Sequence, residues 1–177
     1  MTLRDEDVAR MAAELFEAER TRSQIPLLSQ RFPQAGLAEA YKVQGALVKL
    51  KESAGRVRKG WKIGLTSKAM QAALNIATPD SGVLFDDMVF ADGSRIPAGR
   101  FIQPRVEAEI AFVMKAPLEG PGVTLFDVLN ATDYIVPALE ILDTRVVRAD
   151  PVTGKARTIF DTVADNAANA GIVMGGR

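Results

Sequence analysis

Apolar residues first recur at helical spacing. Val8, Met11, Ala12, Leu15 and Phe16 predict an N-terminal helix whose pattern fails at 23–26, and Thr2 followed by Asp5 resembles a capping box at its start. A second helix is predicted over about 37–53, where Leu37, Ala40, Tyr41, Leu47 and Val48 share a face that Gln44 interrupts and Gly55 terminates. After Gly55 the period changes to alternation. Strands are predicted over 57–66, 82–90, 105–114, 134–142 and 170–174. Ser67 can cap a short helix carrying Met70, Ala73 and Leu74, and Thr124 another reaching about Ala131. Asp92-Gly93 and 150–154 read as turns, and 116–122 as a Pro/Gly loop. The class is therefore α+β, with a helical segment over 1–56 and a β-rich region over 57–177, together one structural domain. Gly175-Gly176-Arg177 follows an apolar strand where a turn into further chain is expected, so the end reads as C-terminally incomplete.

Composition narrows the chemistry. The 177 residues contain 22 basic and 22 acidic side chains, without a basic run that would grip nucleic acid. No apolar stretch is long enough for a bilayer span, and the acidic N-terminus lacks a signal core, so a cytoplasmic protein is expected. There is no cysteine and no histidine. Thiolate nucleophiles, Ser-His-Asp triads and imidazole metal ligands are thereby excluded. Acid–base work falls to Asp, Glu, Lys or Tyr, and any metal must be a hard ion held by oxygen.

Four segments carry the main candidates. In Arg105–Met114, alternation puts Glu107 and Glu109 on one face and Val106, Ala108, Ile110 and Phe112 on the other, toward a core. For that strand alone, a solvated polar face is the default. Glu140, however, shares its face with Val136, Ala138 and Leu142, while Leu139 and Ile141 occupy the other face; such a strand is expected to be buried on both sides. A buried carboxylate needs a cation. That cation is either a basic residue such as Arg105 or Arg145, or a divalent ion shared with Glu107 and Glu109; spacing leaves both open. Lys62 shares its face with Gly60 and Gly64, whose missing side chains leave room for a ligand, although a snorkelling lysine on a strand rim is the commoner case. Asp80, in Pro79-Asp80-Ser81-Gly82, reads first as a turn residue. Asp86 and Asp87 form an acidic pair at a strand bend, and Asp161, Asp165, Asn166 and Asn169 a polar stretch that caps or braces loops.

Together these segments resemble a known family. Gly60-Trp61-Lys62-Ile63-Gly64-Leu65-Thr66-Ser67, Pro79-Asp80-Ser81-Gly82, Arg105-Val106-Glu107-Ala108-Glu109, Pro137-Ala138-Leu139-Glu140-Ile141-Leu142-Asp143 and Asp165-Asn166-Ala167-Ala168-Asn169-Ala170-Gly171 occur in that order in the 2-oxopent-4-enoate hydratase/4-oxalocrotonate decarboxylase group of the fumarylacetoacetase-like superfamily. The resemblance covers essentially the whole chain, and is strongest to members acting on a seven-carbon dioate in 4-hydroxyphenylacetate (homoprotocatechuate) breakdown. It implies a mixed β-roll or barrel behind N-terminal helices, a homo-oligomer with a decarboxylase partner in the pathway, and a metal-dependent hydratase acting on a small 2-oxo-enoate. It implies Mg2+, with Mn2+ an alternative, held by Glu107, Glu109 and Glu140, and acid–base roles for Lys62 and Asp80. Trp61 departs from relatives that carry histidine there. A decarboxylase using the same site, a noncatalytic fragment or partner subunit, and a C–C hydrolase are the rival readings; the hydrolase usually needs a histidine that this chain lacks. For a second substrate carboxylate, Arg105 and Lys68 are conceivable partners.

Overall fold

The computed structural model describes residues 3–74, 76 and 78–176. Four helices build the first core. α1 (Asp5–Thr21) and α3 (Leu37–Ser53) pack together, with α2 (Leu28–Arg31) and α6 (Ile159–Ala164) closing over them. Met11, Leu15, Leu28, Val43, Leu47 and Phe160 are all but excluded from solvent there, which is the expected consequence of apolar residues three and four apart. α3 ends where Gly55 adopts φ +91° and the Arg56 amide donates back to Lys51 O at 3.1 Å. Lys51 is fully buried but not unpaired. Its ammonium meets Glu19 of α1 at 2.6 Å and stands 5.5 Å from the Phe85 ring centroid.

Two sheets follow. β1 (Arg58–Gly64) and β2 (Asp80–Phe85) form an antiparallel pair in which Lys62 faces Gly82 and Gly64 faces Asp80. The second sheet has the order β3-β6-β5-β4, from β3 (Val89–Phe90), β6 (Asn169–Met174), β5 (Thr132–Leu142) and β4 (Arg105–Met114). β4, β5 and β6 run antiparallel in turn, whereas β3 joins β6 in parallel. The class is α+β as expected. α4 (Lys68–Leu74) and α5 (Leu125–Ala131) occupy the connections, α5 with Thr124 Oγ1 accepting from the Asp127 amide at 3.2 Å.

Several expectations are corrected. The stretch 82–90 is not one strand: β2 starts at Asp80, a 3-10 turn over Asp86–Met88 breaks it, and Val89–Phe90 enters the other sheet. The break is held by Asp86, whose carboxylate accepts from the Val57 amide at 3.0 Å. The polar stretch before the last strand contains α6, capped by Asp161, which accepts from the Thr158 amide at 2.7 Å. Val106, Ile110 and Phe112 do not enter a core. They are 61%, 66% and 51% exposed, because no described element packs on that face of β4. For the same reason β5 is not buried on both sides, and Leu139 is 46% exposed. The Thr2 cap and the α4 side chains of Met70, Ala73 and Leu74 lie outside what is described. No described helix is long and apolar enough to cross a membrane.

Candidate metal and proton-transfer site

Register builds the site. Glu107 of β4 pairs directly with Glu140 of β5, and Glu109 lies two residues on, so all three project from one face. One carboxylate oxygen from each lies within 4.8 Å of the others. Like charges directly opposite in an antiparallel pair repel, so this arrangement calls for a cation. Six oxygens at about 2.1 Å around magnesium stand no more than about 4.2 Å apart, so small rotations of these glutamates would complete three of its ligand positions. The donors are all carboxylate oxygens, which suits a hard divalent ion. Glu107 and Glu109 are exposed, whereas Glu140 is buried, and its Oε1 accepts no hydrogen bond among the described residues.

The other sheet supplies the base of the site. Lys62 Nζ lies 3.5 Å from Glu140 Oε1, an ion pair too long for a good hydrogen bond. Lys62, not Arg105 or Arg145, is thus the basic partner of Glu140. Arg145 is committed elsewhere: its Nε meets Asp165 at 2.5 Å and its Nη2 donates to Asp165 O at 2.6 Å. Burial pushes the Glu140 carboxyl above its ordinary value; Lys62 opposes this, and Glu107 and Glu109 add to it.

Asp80 is not in a turn. It opens β2, is buried, and its Oδ1 has no hydrogen-bond partner among the described residues. Burial raises its carboxyl also, with Lys62 pulling the other way. Gly64 leaves the space that the Lys62 and Asp80 side chains both approach. A Cβ there would stand 2.3 Å from Asp80 Oδ1 and 3.1 Å from Lys62 Nζ. The open space expected beside Lys62 is present at Gly60, where a Cβ would meet nothing within 4 Å, whereas at Gly64 the Asp80 carboxylate fills it. Trp61 points away from Lys62, 54% exposed, with the Arg58 guanidinium 5.8 Å from its ring centroid.

Residues to which the sequence assigned no part in the site set the two sheets against each other. The Asn166 side chain reads the Val83 peptide of β2, accepting from its amide at 2.7 Å and donating to its carbonyl at 2.9 Å; Asn169 donates to the same carbonyl at 2.9 Å. Asn166, Ala167 and Ala168 all have positive φ, 54°, 52° and 59°, a left-handed turn costly for L-residues. A Cβ on Gly82 would stand 2.4 Å from Asn166 O. Gln44 explains its interruption of the α3 face: it is buried, donating to Ser81 O at 2.8 Å and Val163 O at 3.0 Å. A lone amide in an apolar stripe was the signal for Gln44; nothing in the run Asp165-Asn166-Ala167-Ala168-Asn169 marked Asn166 out. Asp161 and Asp165 brace loops away from the three glutamates as expected, and Asp86 and Asp87, expected at a strand bend, sit in the 3-10 turn between β2 and β3.

No family model matches the chain. Individual proteins do. It is 55% identical to the 2-oxo-hept-4-ene-1,7-dioate hydratase of Escherichia coli over 94% of this chain and 62% of that protein. It is 36% identical to the 4-oxalocrotonate decarboxylase of Pseudomonas sp. CF600, over 99% of this chain and 64% of that one. The solved structure of 4-oxalocrotonate decarboxylase from Pseudomonas putida G7, complexed with magnesium and adipate, superposes with a TM-score of 0.89 at 37% identity, covering 99% of this chain and 65% of that chain. The chain thus spans a little over three fifths of the length of these relatives. Sequence and fold agree in their likeness to 2-oxo-4-enoate hydratases and 4-oxalocrotonate decarboxylases.

Proposed function

We propose that this protein is a magnesium-dependent hydro-lyase that adds water to 2-oxohept-4-ene-1,7-dioate, reached from its dienol 2-hydroxyhepta-2,4-dienedioate, in 4-hydroxyphenylacetate breakdown. The observation carrying the proposal is the convergence of Glu107, Glu109 and Glu140 beside Lys62. The 55% identity to the Escherichia coli hydratase favours hydration and this substrate. Magnesium is supported by the donor set and by the ion in the related decarboxylase structure; manganese has the same ligand preference. When bound, the ion supplies Lewis-acid stabilisation of negative charge on the substrate's 2-oxygen.

The chain's own residues do the rest. Glu107, Glu109 and Glu140 would hold the ion against β4 and β5, where it would attract the anionic 2-oxo-acid end. Lys62 and Asp80 move the protons: from the dienol oxygen, and to and from the substrate carbons, as the conjugated 2-oxo-3-enoate forms and water adds to the distal alkene carbon. Asp80 suits this because burial favours its protonated form, so it can hold a proton close to a lysine. The exposed apolar face of Val106, Ile110, Phe112 and Leu139 supports a homo-oligomer, since monomers rarely leave such a patch open. The TM-score of 0.89 supports assembly of the two sheets into the relatives' fold, for which we infer a roll or barrel.

The decarboxylase reading is favoured by a specific observation, the 37% identity and 99% coverage by the decarboxylase structure. Loss of carbon dioxide from a vinylogous 2-oxo-acid passes through the same enolate, so the same residues would serve. Assaying the purified protein with 2-hydroxyhepta-2,4-dienedioate and with 4-oxalocrotonate, with and without magnesium, decides between them. Hydration of the first without carbon dioxide release from the second is expected. Carbon dioxide release alone would overturn the hydratase assignment.

A further inference from the structure

Arginines in this chain that are well placed for ion pairing mostly have carboxylate partners: Arg4, Arg10, Arg20, Arg31, Arg56, Arg58, Arg100 and Arg145 each meet an Asp or Glu. Four others, Arg95 among them, make no side-chain hydrogen bond or ion pair among the described residues, and three of these line one cleft. Arg105, Arg148 and Arg157 converge there with Gln103, Leu142 and Asp143. The hairpin between β5 and α6 brings two of them together: Ala149 bridges Ala156, and the Arg157 amide donates to Arg148 O at 3.0 Å. Arg105 comes from the start of β4, paired with Leu142.

Neighbouring carboxylates do not neutralise this cluster. Asp143 spends both oxygens on the backbone amides of Ile102 and Gln103, each at 2.8 Å. Asp165 is taken by Arg145, and Asp161 by the Ser29 and Thr158 amides. Burial lowers the Arg157 pKa, and the charges of Arg105 and Arg148 lower it further while Asp165 and Asp161 resist. Three mutually repelling guanidiniums, one of them half buried, form an anion receptor in want of an anion.

Its place relative to the glutamates gives the anion an identity. Arg105 and Glu107 are two residues apart on the same face of β4, about 7 Å along the strand, and their cross-strand partners Leu142 and Glu140 repeat that spacing. A short carbon chain lying along that face would reach from one group to the other. We propose that Arg105, Arg148 and Arg157 bind the distal carboxylate of a dicarboxylate substrate whose 2-oxo-acid end lies at Glu107, Glu109 and Glu140. This rests on the hydratase reading for the near end of the substrate and adds the residues that select a dioate over a monocarboxylate.

Calorimetry on the purified protein with magnesium, using adipate and hexanoate, tests it, because the probes differ in one terminal carboxylate. Adipate is expected to bind about tenfold or more tighter, the scale of one charge-assisted guanidinium–carboxylate contact. Arg148→Ala, at an exposed residue, and Arg157→Gln should each erase most of that preference and leave hexanoate unchanged, while Arg20→Ala, which removes a charge from α1, leaves the preference intact. Equal binding of the two probes, or a preference that survives both cleft variants, overturns the receptor. Turnover of the dienedioate, followed in parallel, separates the claims. Magnesium-dependent turnover without an arginine-dependent preference overturns the receptor and leaves the hydratase. The preference without such turnover supports the receptor and overturns the hydratase reading.

Discussion

Lys62 Nζ stands 3.5 Å from Glu140 Oε1 and on the same side of Gly64 as the Asp80 carboxylate, so one ammonium pairs with the proposed metal cluster and lies near the proposed proton-transfer partner. A divalent ion at Glu140 and the Lys62 charge repel each other. Lys62→Met should therefore bind magnesium as tightly as the wild type or more tightly, while turnover falls by about 10²–10⁴-fold, the usual contribution of a positioned acid or base. Metal titration and steady-state kinetics on the same preparation check this; weakened metal binding with undiminished turnover would contradict it.

Gly64 is where proximity has the least slack. Gly64→Ala places a methyl 2.3 Å from Asp80 Oδ1, so Asp80 or the β1–β2 register must shift. Overpacking of this kind costs about 1–3 kcal/mol. The expected result is a lowered melting temperature, a kcat reduced at least tenfold by misplacement, on the scale of displaced catalytic groups, and near-normal magnesium affinity, because the three glutamates lie on the other sheet. Gly60→Ala is the matched control, since a Cβ there meets nothing within 4 Å.

Asn166 satisfies both polar groups of the Val83 peptide from within a left-handed turn. Asn166→Ala leaves a buried amide unpaired and should destabilise the fold by about 1–3 kcal/mol. Asn166→Asp keeps the acceptor and loses the donor, so it should fall between wild type and alanine. Urea denaturation measures the order. Equal stability of all three would show that the side chain does not tie β2 to the second sheet.

Much of this was legible along the chain. The strand Arg105–Met114 followed from strict alternation, and α3 from its stripe and terminal glycine. The shared face of Glu107 and Glu109 is a property of strand geometry alone. Pairing was not legible, because the Glu107–Glu140 register is set by contacts between segments some thirty residues apart. Asp80 looked like a turn residue because Pro79-Asp80-Ser81-Gly82 has turn chemistry; instead β1 pairs with it from Gly64 onward and draws it into a strand. The apolar face of β4 read as core because alternation reports which residues share a side, not whether anything covers that side. The tie from Asn166 to Val83 and the joining of Arg105 with Arg148 and Arg157 were not legible for a related reason: they depend on which backbone or charge lies opposite.

The Glu19–Lys51 pair gives the fold an acid sensitivity. Burial alone would raise Glu19, but Lys51, Arg145 and Arg56 hold its carboxyl far below the ordinary 4.5. Its folded pKa is thus depressed relative to the unfolded chain. The stability it contributes is fully present above about pH 4.5 and is lost as pH falls toward the folded value. Glu19→Gln should cost about 3 kcal/mol at neutral pH by leaving Lys51 buried without its partner. It should also flatten the decline of stability below pH 4.5. Denaturation curves across pH 3–7 for both proteins test this; parallel curves would show that Glu19 is not the group responsible.

The central claim concerns where a hard cation sits. Crystals of the protein grown with manganese, measured at the manganese absorption edge, locate the ion by its own anomalous signal. A peak is expected about 2–2.2 Å from oxygens of Glu107, Glu109 and Glu140 together. A peak elsewhere, or bounded by Glu107 and Glu109 with Glu140 still held to Lys62, would contradict it.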